Sequence, residues 1–202
     1  MKLGIISLGC DKATVDSERL VGELVGHGAT VVNEVDAADV VLVNTCGFID
    51  AAKQESIEAL IEAGRLKQSA NVKAVVAVGC LIERYRVALQ KEIPEVDLFF
   101  GFGDLHKLVP ALADKGLIDD PLAGHPGVRC YLGDSPHVRY LKISEGCDHS
   151  CAFCAIPLMR GRHRSESIER LVREAQLLEQ QGAREINLVA QDLGNYGRDL
   201  GR

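Results

Sequence analysis

VVLVNTCGFID, Val40 to Asp50, decides the fold. Its first four residues, Val40 to Val43, form an apolar run rich in β-branched side chains, with no polar residue before Asn44. A segment of that kind is buried on both faces, as strands of a helix-covered parallel sheet are. The run ends in Cys46, and Asp50 is the expected N-cap of a helix whose apolar positions are Ile57, Leu60 and Ile61. Two other runs have the same ending: IISLGC closes on Cys10 and VVAVGC on Cys80.

Working outward, the first part of the chain alternates such runs with amphipathic patterns. Strands are predicted at Leu3–Leu8, Thr30–Asn33, Val40–Asn44, Ala74–Val78 and Asp97–Phe100. Val15, Leu20, Val21, Leu24 and Val25 form one helical face that stops near Gly28, and shorter helices are predicted at Ile82–Lys91 and Asp104–Ala113. Five strands with interleaved helices make an α/β domain over residues 1–114, a flavodoxin-like doubly wound parallel sheet of order 2-1-3-4-5. Right-handed crossovers bring the C-terminal ends of all its strands to one edge.

Residues 115–137, KGLIDDPLAGHPGVRCYLGDSPH, break the pattern and read as a linker rich in Gly, Pro and Asp. A second unit occupies residues 138–202. It has a strand at Val138–Ile143, a helix capped by Ser165 or Ser167 with Ile168, Leu171, Val172, Ala175 and Leu178 on its apolar face, a stop at Gly182, and a strand at Glu185–Ala190. That is one βαβ unit. Alone it cannot bury both faces of its sheet, so the second domain is expected to be incomplete.

The net charge of −6 argues against a nucleic-acid-coating protein and suits a basic protein partner better, with no direct nucleic-acid binding expected. The apolar run near Met1 is too short for a signal peptide, and no stretch reaches the roughly 20 apolar residues of a membrane helix. The expected compartment is the cytoplasm, with no membrane partner. Seven cysteines in a reducing compartment point to metal binding or catalysis rather than disulfides.

SEGCDHSCAFCAIPLMRG, Ser144 to Gly161, holds Cys147, Cys151 and Cys154 on one loop leaving a strand. Structural zinc takes four ligands, and His149 could supply the fourth, though it stands only two residues from each flanking cysteine. The alternative is a 4Fe–4S cluster held by three thiolates, with one iron left open to a small molecule. Cys10, Cys46 and Cys80 raise the same question. Each follows a strand at its C-terminal end, and in the order 2-1-3-4-5 those three strands are neighbours. One cysteine there would read as a small hydrophobe; three on adjacent strands read as a second three-cysteine cluster site.

The loop CDHSCAFC resembles the CxxxCx(aromatic)C loop of radical S-adenosylmethionine (SAM) enzymes. The whole chain resembles their methylthiotransferase family through SLGCDK, VDSE (Val15–Glu18), NTCGFI (Asn44–Ile49), VGC (Val78–Cys80), ISEGC (Ile143–Cys147) and IPLMRG (Ile156–Gly161). Asp11 and Ala13 depart from the usual SLGCPKN without touching a ligand. The resemblance implies that residues 138–202 open a partial (β/α) barrel, whose sites lie at strand C-terminal ends. It implies two 4Fe–4S clusters: Cys147, Cys151 and Cys154 for SAM cleavage, and Cys10, Cys46 and Cys80 to anchor the transferred sulfur. Phe153 is expected near the adenine of SAM, with Gln191 and Asp192 at its amino group.

SLGC, CAFC and IPLMRG favour the branch that modifies a ribosomal protein over the branch that modifies tRNA. The implied substrate is an aspartate of small-subunit ribosomal protein S-twelve, methylthiolated at its β-carbon. The implied electron source is a low-potential donor such as flavodoxin or ferredoxin. Rival readings are a tRNA adenosine methylthiotransferase and a zinc or iron–sulfur binding or electron-carrier module. With only the opening βαβ of a barrel, the isolated chain is expected to turn over poorly.

Arg160, Arg162, His163 and Arg164 form a basic cluster read as a solvated loop, or else as a contact for the SAM carboxylate or a partner. Asn44 and Thr45 could orient Cys46. His27, His106, His125 and His137 show no ligand spacing, and Cys130 has no assigned role.

Overall fold

The structure, a computed structural model, describes residues 1–119, 129–133, 135 and 137–201. Much of the expected linker, His125 included, lies outside the described residues. The chain divides into two compact units, residues 1–9 with 16–130 and residues 10–15 with 131–202.

The first unit is built on a five-stranded parallel sheet: β1 (Lys2–Ser7), β2 (Thr30–Val31), β3 (Val40–Thr45), β4 (Ala74–Gly79) and β5 (Leu98–Phe100). Its order is β2-β1-β3-β4-β5, as predicted. All six residues of β3 and all six of β4 are buried, which accounts for their unalternated apolar sequence. β2 is shorter than expected. It lies at the sheet edge with both residues exposed, and a 3-10 turn at Val35–Ala37 follows it.

Helices α1 (Asp11–Gly26), from Asp16 onward, α2 (Asp50–Ser69), α3 (Cys80–Glu92) and α4 (Leu108–Asp114) complete the unit. Leu60 and Ala63 of α2 and Leu81, Ile82 and Leu89 of α3 pack with Val41, Val43, Val75 and Ala77 on one sheet face. Strand alternation turns the equally buried Val40, Leu42 and Val76 to the other face. Each fully buried aliphatic side chain contributes about 1.5–3 kcal/mol through burial.

Two helix starts differ from expectation. Ile49, not Asp50, holds the cap position of α2. Asp50 is the first helical residue, and its exposed carboxylate pairs with Lys53 at 2.8 Å. A carboxylate there still favours the helix through the macrodipole. The helix expected over Asp104–Ala113 is a 3-10 segment, Phe102–Lys107, followed by α4. Pro110 lacks an amide hydrogen and is tolerated only in a first turn, so the α-helix starts just before it.

The second unit pairs β6 (Val138–Lys142) in parallel with β9 (Glu185–Val189), joined through α6 (Ile168–Gln180). Ser167 is the cap of α6, its hydroxyl accepting from the Arg170 amide at 3.2 Å. Leu141, Ile143 and Leu171 form the core, with Ala175, Ile186, Ala190 and Tyr196 packed on it. Two features were not predicted: a ribbon of β7 (Ser144–Glu145) antiparallel to β8 (Arg164–Ser165), and the short helix α5 (Ile156–Arg160). No helix among the described residues is long and apolar enough to cross a membrane.

Candidate iron–sulfur sites

The sheet register places the ends of β1, β3 and β4 level with one another. Ser7 is opposite Asn44 and Asn44 opposite Val78. Cys46 and Cys80 each directly follow their strand, and Cys10 comes three residues after the end of β1. The Cys10 carbonyl accepts from the amides of Ala13 and Thr14 at 2.7 and 3.1 Å, so α1 opens on that cysteine. Cys80 is itself the first residue of α3. Positive helix ends thus start at two of the three cysteines, an arrangement that favours a group of net negative charge.

A polar lattice lies behind this edge. Buried Ser17 of α1 bonds Ser7 Oγ at 2.7 Å and accepts from Asn44 Nδ2 at 2.8 Å. Thr45 Oγ1 donates to the Val78 carbonyl at 2.6 Å. Asn44 and Thr45 therefore tie strands and helix together just before Cys46. Glu18 pairs with Arg129 at 2.6 Å, both nearly inaccessible, and the Glu18 carbonyl accepts from the Cys130 amide at 3.1 Å. Burial, then the Glu18 charge, pushes the Cys130 thiol up, away from the reactive thiolate form.

In the second unit the ribbon β7–β8 frames the loop that carries Cys147, Cys151 and Cys154. Ile143 is the hinge: its amide still bonds Val189 of β9, while its carbonyl accepts from Glu166 beyond β8. The Cys147 amide donates to the Gly161 carbonyl at 3.2 Å and closes the loop. Gly146 has φ +78°, and a Cβ there would lie 2.1 Å from the Arg162 carbonyl oxygen. Cys147 is buried, Cys151 exposed, Cys154 intermediate, and none of the three is in a disulfide, nor are Cys10, Cys46 and Cys80. Phe153 is 91% exposed.

Glu145 is the hub beneath the loop. Its carboxylate takes Lys142 Nζ, Arg160 Nη1 at 3.3 Å and Gln191 Nε2 at 2.6 Å. Gln191 Oε1 in turn accepts from the Gly146 amide at 3.0 Å. Gln191 thereby links the end of β9 to the turn before Cys147. The solvated basic cluster is corrected in part. Arg160 is buried against Glu145, the His163 side chain is nearly inaccessible though the residue is only partly buried, and Arg162 and Arg164 stay exposed.

Asp192 lies 2.9 Å from His149 and accepts from Asn195 Nδ2. Burial raises its carboxyl, but the Asn195 hydrogen bond and the nearby His149 outweigh it and hold the group below its ordinary value. Ligand atoms of Cys147, His149 and Asp192 lie within 4.8 Å of one another. Glu145, Lys142 and Ser56 were not singled out from sequence. For Ser56 a signal existed: it shares the buried stripe of Leu60 and Ala63 at helical spacing.

Both cysteine sets fit an iron–sulfur group by their donors. Thiolates are the usual ligands of such clusters, each binding a different iron, and both sets sit at strand ends with every sulfur unbridged. Residues 141–197 match the radical SAM superfamily, and residues 2–101 match the Uncharacterized protein family UPF0004. The fold of the radical S-adenosylmethionine methyltransferase TsrM from Kitasatospora setae is similar, with a TM-score of 0.59 at 14% identity over 95% of this chain and 47% of that one. Residues 141–197 are thus similar to radical SAM proteins, and in the chain they come after the doubly wound sheet.

The curated relatives narrow this likeness. The chain is 48% identical to the ribosomal protein uS12 methylthiotransferase RimO of Chlorobium phaeobacteroides, over 97% of its own length and 44% of that protein. It is 46% identical to RimO of Sulfurihydrogenibium sp., over 99% and 44%. Over nearly its whole length the chain is similar to these RimO methylthiotransferases, and it spans less than half of theirs.

Proposed function

We infer that this chain is the cluster-bearing part of a methylthiotransferase acting on the β-carbon of an aspartate in small-subunit ribosomal protein S-twelve, in the cytoplasm. What carries the reading is the pairing of two strand-end sets of three cysteines outside any disulfide with 46–48% identity to proteins named as ribosomal protein uS12 methylthiotransferases. Cys147, Cys151 and Cys154 would hold one 4Fe–4S cluster, and Cys10, Cys46 and Cys80 the other. The bound clusters supply an electron for reductive cleavage of SAM and a site for the transferred sulfur.

The protein's own groups orient these parts. Gly146 and the Cys147–Gly161 hydrogen bond fix the direction in which the loop leaves β7. Glu145 gathers Lys142, Arg160 and Gln191 into one partly buried unit, so the strand end does not shift as charge changes nearby. Asp192, held ionised, is the acceptor for the SAM ammonium group. Phe153 offers an exposed ring face for the adenine. The reductant would be a low-potential flavodoxin or ferredoxin.

Reconstitution under anaerobic conditions tests the proposal. The chain should take up about eight irons, and Cys147→Ala should lose about four together with reductive SAM cleavage. In the protein extended to the length of its relatives, mass analysis should find the methylthio group on uS12. Its appearance in tRNA instead would move the assignment to the tRNA branch. A zinc reading has one observation in its favour, the proximity of Cys147, His149 and Asp192. A colourless protein with stoichiometric zinc, lost on His149→Ala, would replace the cluster reading at that loop.

A further inference from the structure

Ser56 makes contacts that its helix does not require. A serine inside a helix ordinarily turns its hydroxyl to the carbonyl four residues back. Ser56 of α2 instead reaches Cys46, ten residues upstream. Its Oγ accepts from the Cys46 amide at 2.9 Å and donates to the Cys46 carbonyl at 3.1 Å. The side chain is fully buried. One hydroxyl thus closes on both polar groups of a single residue, and that residue is a cysteine just past a strand end.

The next residue extends the constraint. A Cβ on Gly47 would lie 2.8 Å from Leu81 Cα, 2.9 Å from Leu81 N and 3.0 Å from Cys80 C. The backbone at Gly47 therefore abuts the peptide joining Cys80 to Leu81, with no room for a side chain. Ser56 fixes Cys46 from one side, and Gly47 transmits that position to Cys80. Both cysteines are then preset by groups that supply no ligand.

We propose that Ser56 is a positioning residue for the N-terminal cluster, setting the Cys46 peptide and, through Gly47, its spacing from Cys80. The inference rests on the reading that Cys10, Cys46 and Cys80 hold a cluster. A preset pair of thiolates binds without first ordering a loop, so iron held there should leave slowly. Without the hydroxyl, the Cys46 amide and carbonyl lose their partner and the peptide can turn.

The test uses the full chain with Cys147, Cys151 and Cys154 changed to alanine, so that only the N-terminal cluster contributes. Ser56→Thr and Ser56→Val have nearly the same shape and differ in the hydroxyl. After anaerobic reconstitution, iron loss to a chelator is followed by absorbance, beside thermal unfolding of the iron-free proteins. Ser56→Val should release iron about tenfold faster than Ser56→Thr, the factor one buried hydrogen bond supplies. The two iron-free proteins should unfold within a few degrees of each other. Equal release rates overturn the inference, as does a rate difference wholly matched by the unfolding of the iron-free proteins. Ser56→Ala against the unchanged serine repeats the comparison should the threonine not fit. Cys46→Ala separates the two levels. If it abolishes the cluster while the Ser56 variants match, the inference alone falls. If no cluster forms before Ser56 is touched, the underlying reading falls with it.

Discussion

The two cysteine sets are assembled by opposite routes. Cys10, Cys46 and Cys80 are distant in sequence, and Cys46 and Cys80 each directly follow one of two neighbouring, wholly buried strands of a parallel sheet. Cys147, Cys151 and Cys154 fall within one loop and are held by a two-rung ribbon and a charged hub. The first site borrows its rigidity from a hydrophobic core. The second makes its own from hydrogen bonds and ion pairs. Damage should therefore spread through the whole sheet in the first case and stay near the loop in the second.

Two glycines test that contrast most severely. Gly79 has φ +102°, and a Cβ there would lie 2.4 Å from both Asn44 Oδ1 and the Thr45 carbonyl, between two central strands. Gly146, with φ +78°, would meet the backbone of Gly161 and Arg162, the segment just ahead of β8. Gly79→Ala should cost about 3 kcal/mol or more, because neither the backbone angle nor the neighbouring strand can yield cheaply. Gly146→Ala should cost about 2 kcal/mol. Denaturant unfolding gives the magnitudes and hydrogen exchange the extent. Faster exchange throughout β1, β3 and β4 is expected for Gly79→Ala, and at Cys147 and the ribbon for Gly146→Ala. If Gly79→Ala disturbs only the start of α3, the sheet does not act as the common frame.

The hub gives a smaller effect. Glu145→Ala removes the carboxylate shared by Lys142 and Arg160, both nearly buried. Breaking a fully buried pair costs about 3–5 kcal/mol, but Glu145 retains some solvent contact, which screens the charges, so about 2 kcal/mol is expected. Adding Lys142→Met should recover part of that loss, since one of the two cations is then gone. A double substitution no better than the single one would show that the carboxylate acts through Gln191 and the turn before Cys147 rather than through charge.

The same contrast governs what could be read from sequence. β3 and β4 were legible because burial on both faces leaves an unbroken apolar run, and their order followed from chain connectivity. The ribbon β7–β8 was not, since two-residue strands have no period to detect. Arg160 looked solvated because charge in a loop usually is, and only the fold brings Glu145 beneath it. Ser56 was recoverable in principle, as a polar residue in step with Leu60 and Ala63 on a buried stripe. That position says the hydroxyl needs a partner, but finding Cys46 as that partner takes the packing of α2 against the end of β3.

Ser165 and Ser167 were equivalent candidates for the cap of α6, and the structure separates them. Ser167 Oγ accepts from the Arg170 amide at 3.2 Å. Ser165 instead accepts from the Gly197 amide at 2.9 Å and donates to Asp199 from its hydroxyl at 2.6 Å and its amide at 2.8 Å, and the two bonds to Asp199, the hydroxyl's first, hold that carboxyl below its ordinary value. One serine therefore starts the helix, while the other fastens β8 to the turn beyond β9. The residue three past Ser167 is Arg170, so no acidic side chain reaches back to complete a reciprocal cap. Ser167→Ala should then cost about 1 kcal/mol, the smallest of these effects, and Ser167→Asp should cost nothing because aspartate caps as well and adds a favourable charge. Thermal unfolding followed by circular dichroism measures both. Were Ser167→Asp as damaging as Ser167→Ala, the cap would not be what starts α6, and the helix would owe its first turn to the packing of Leu171 on Leu141 and Ile143 alone.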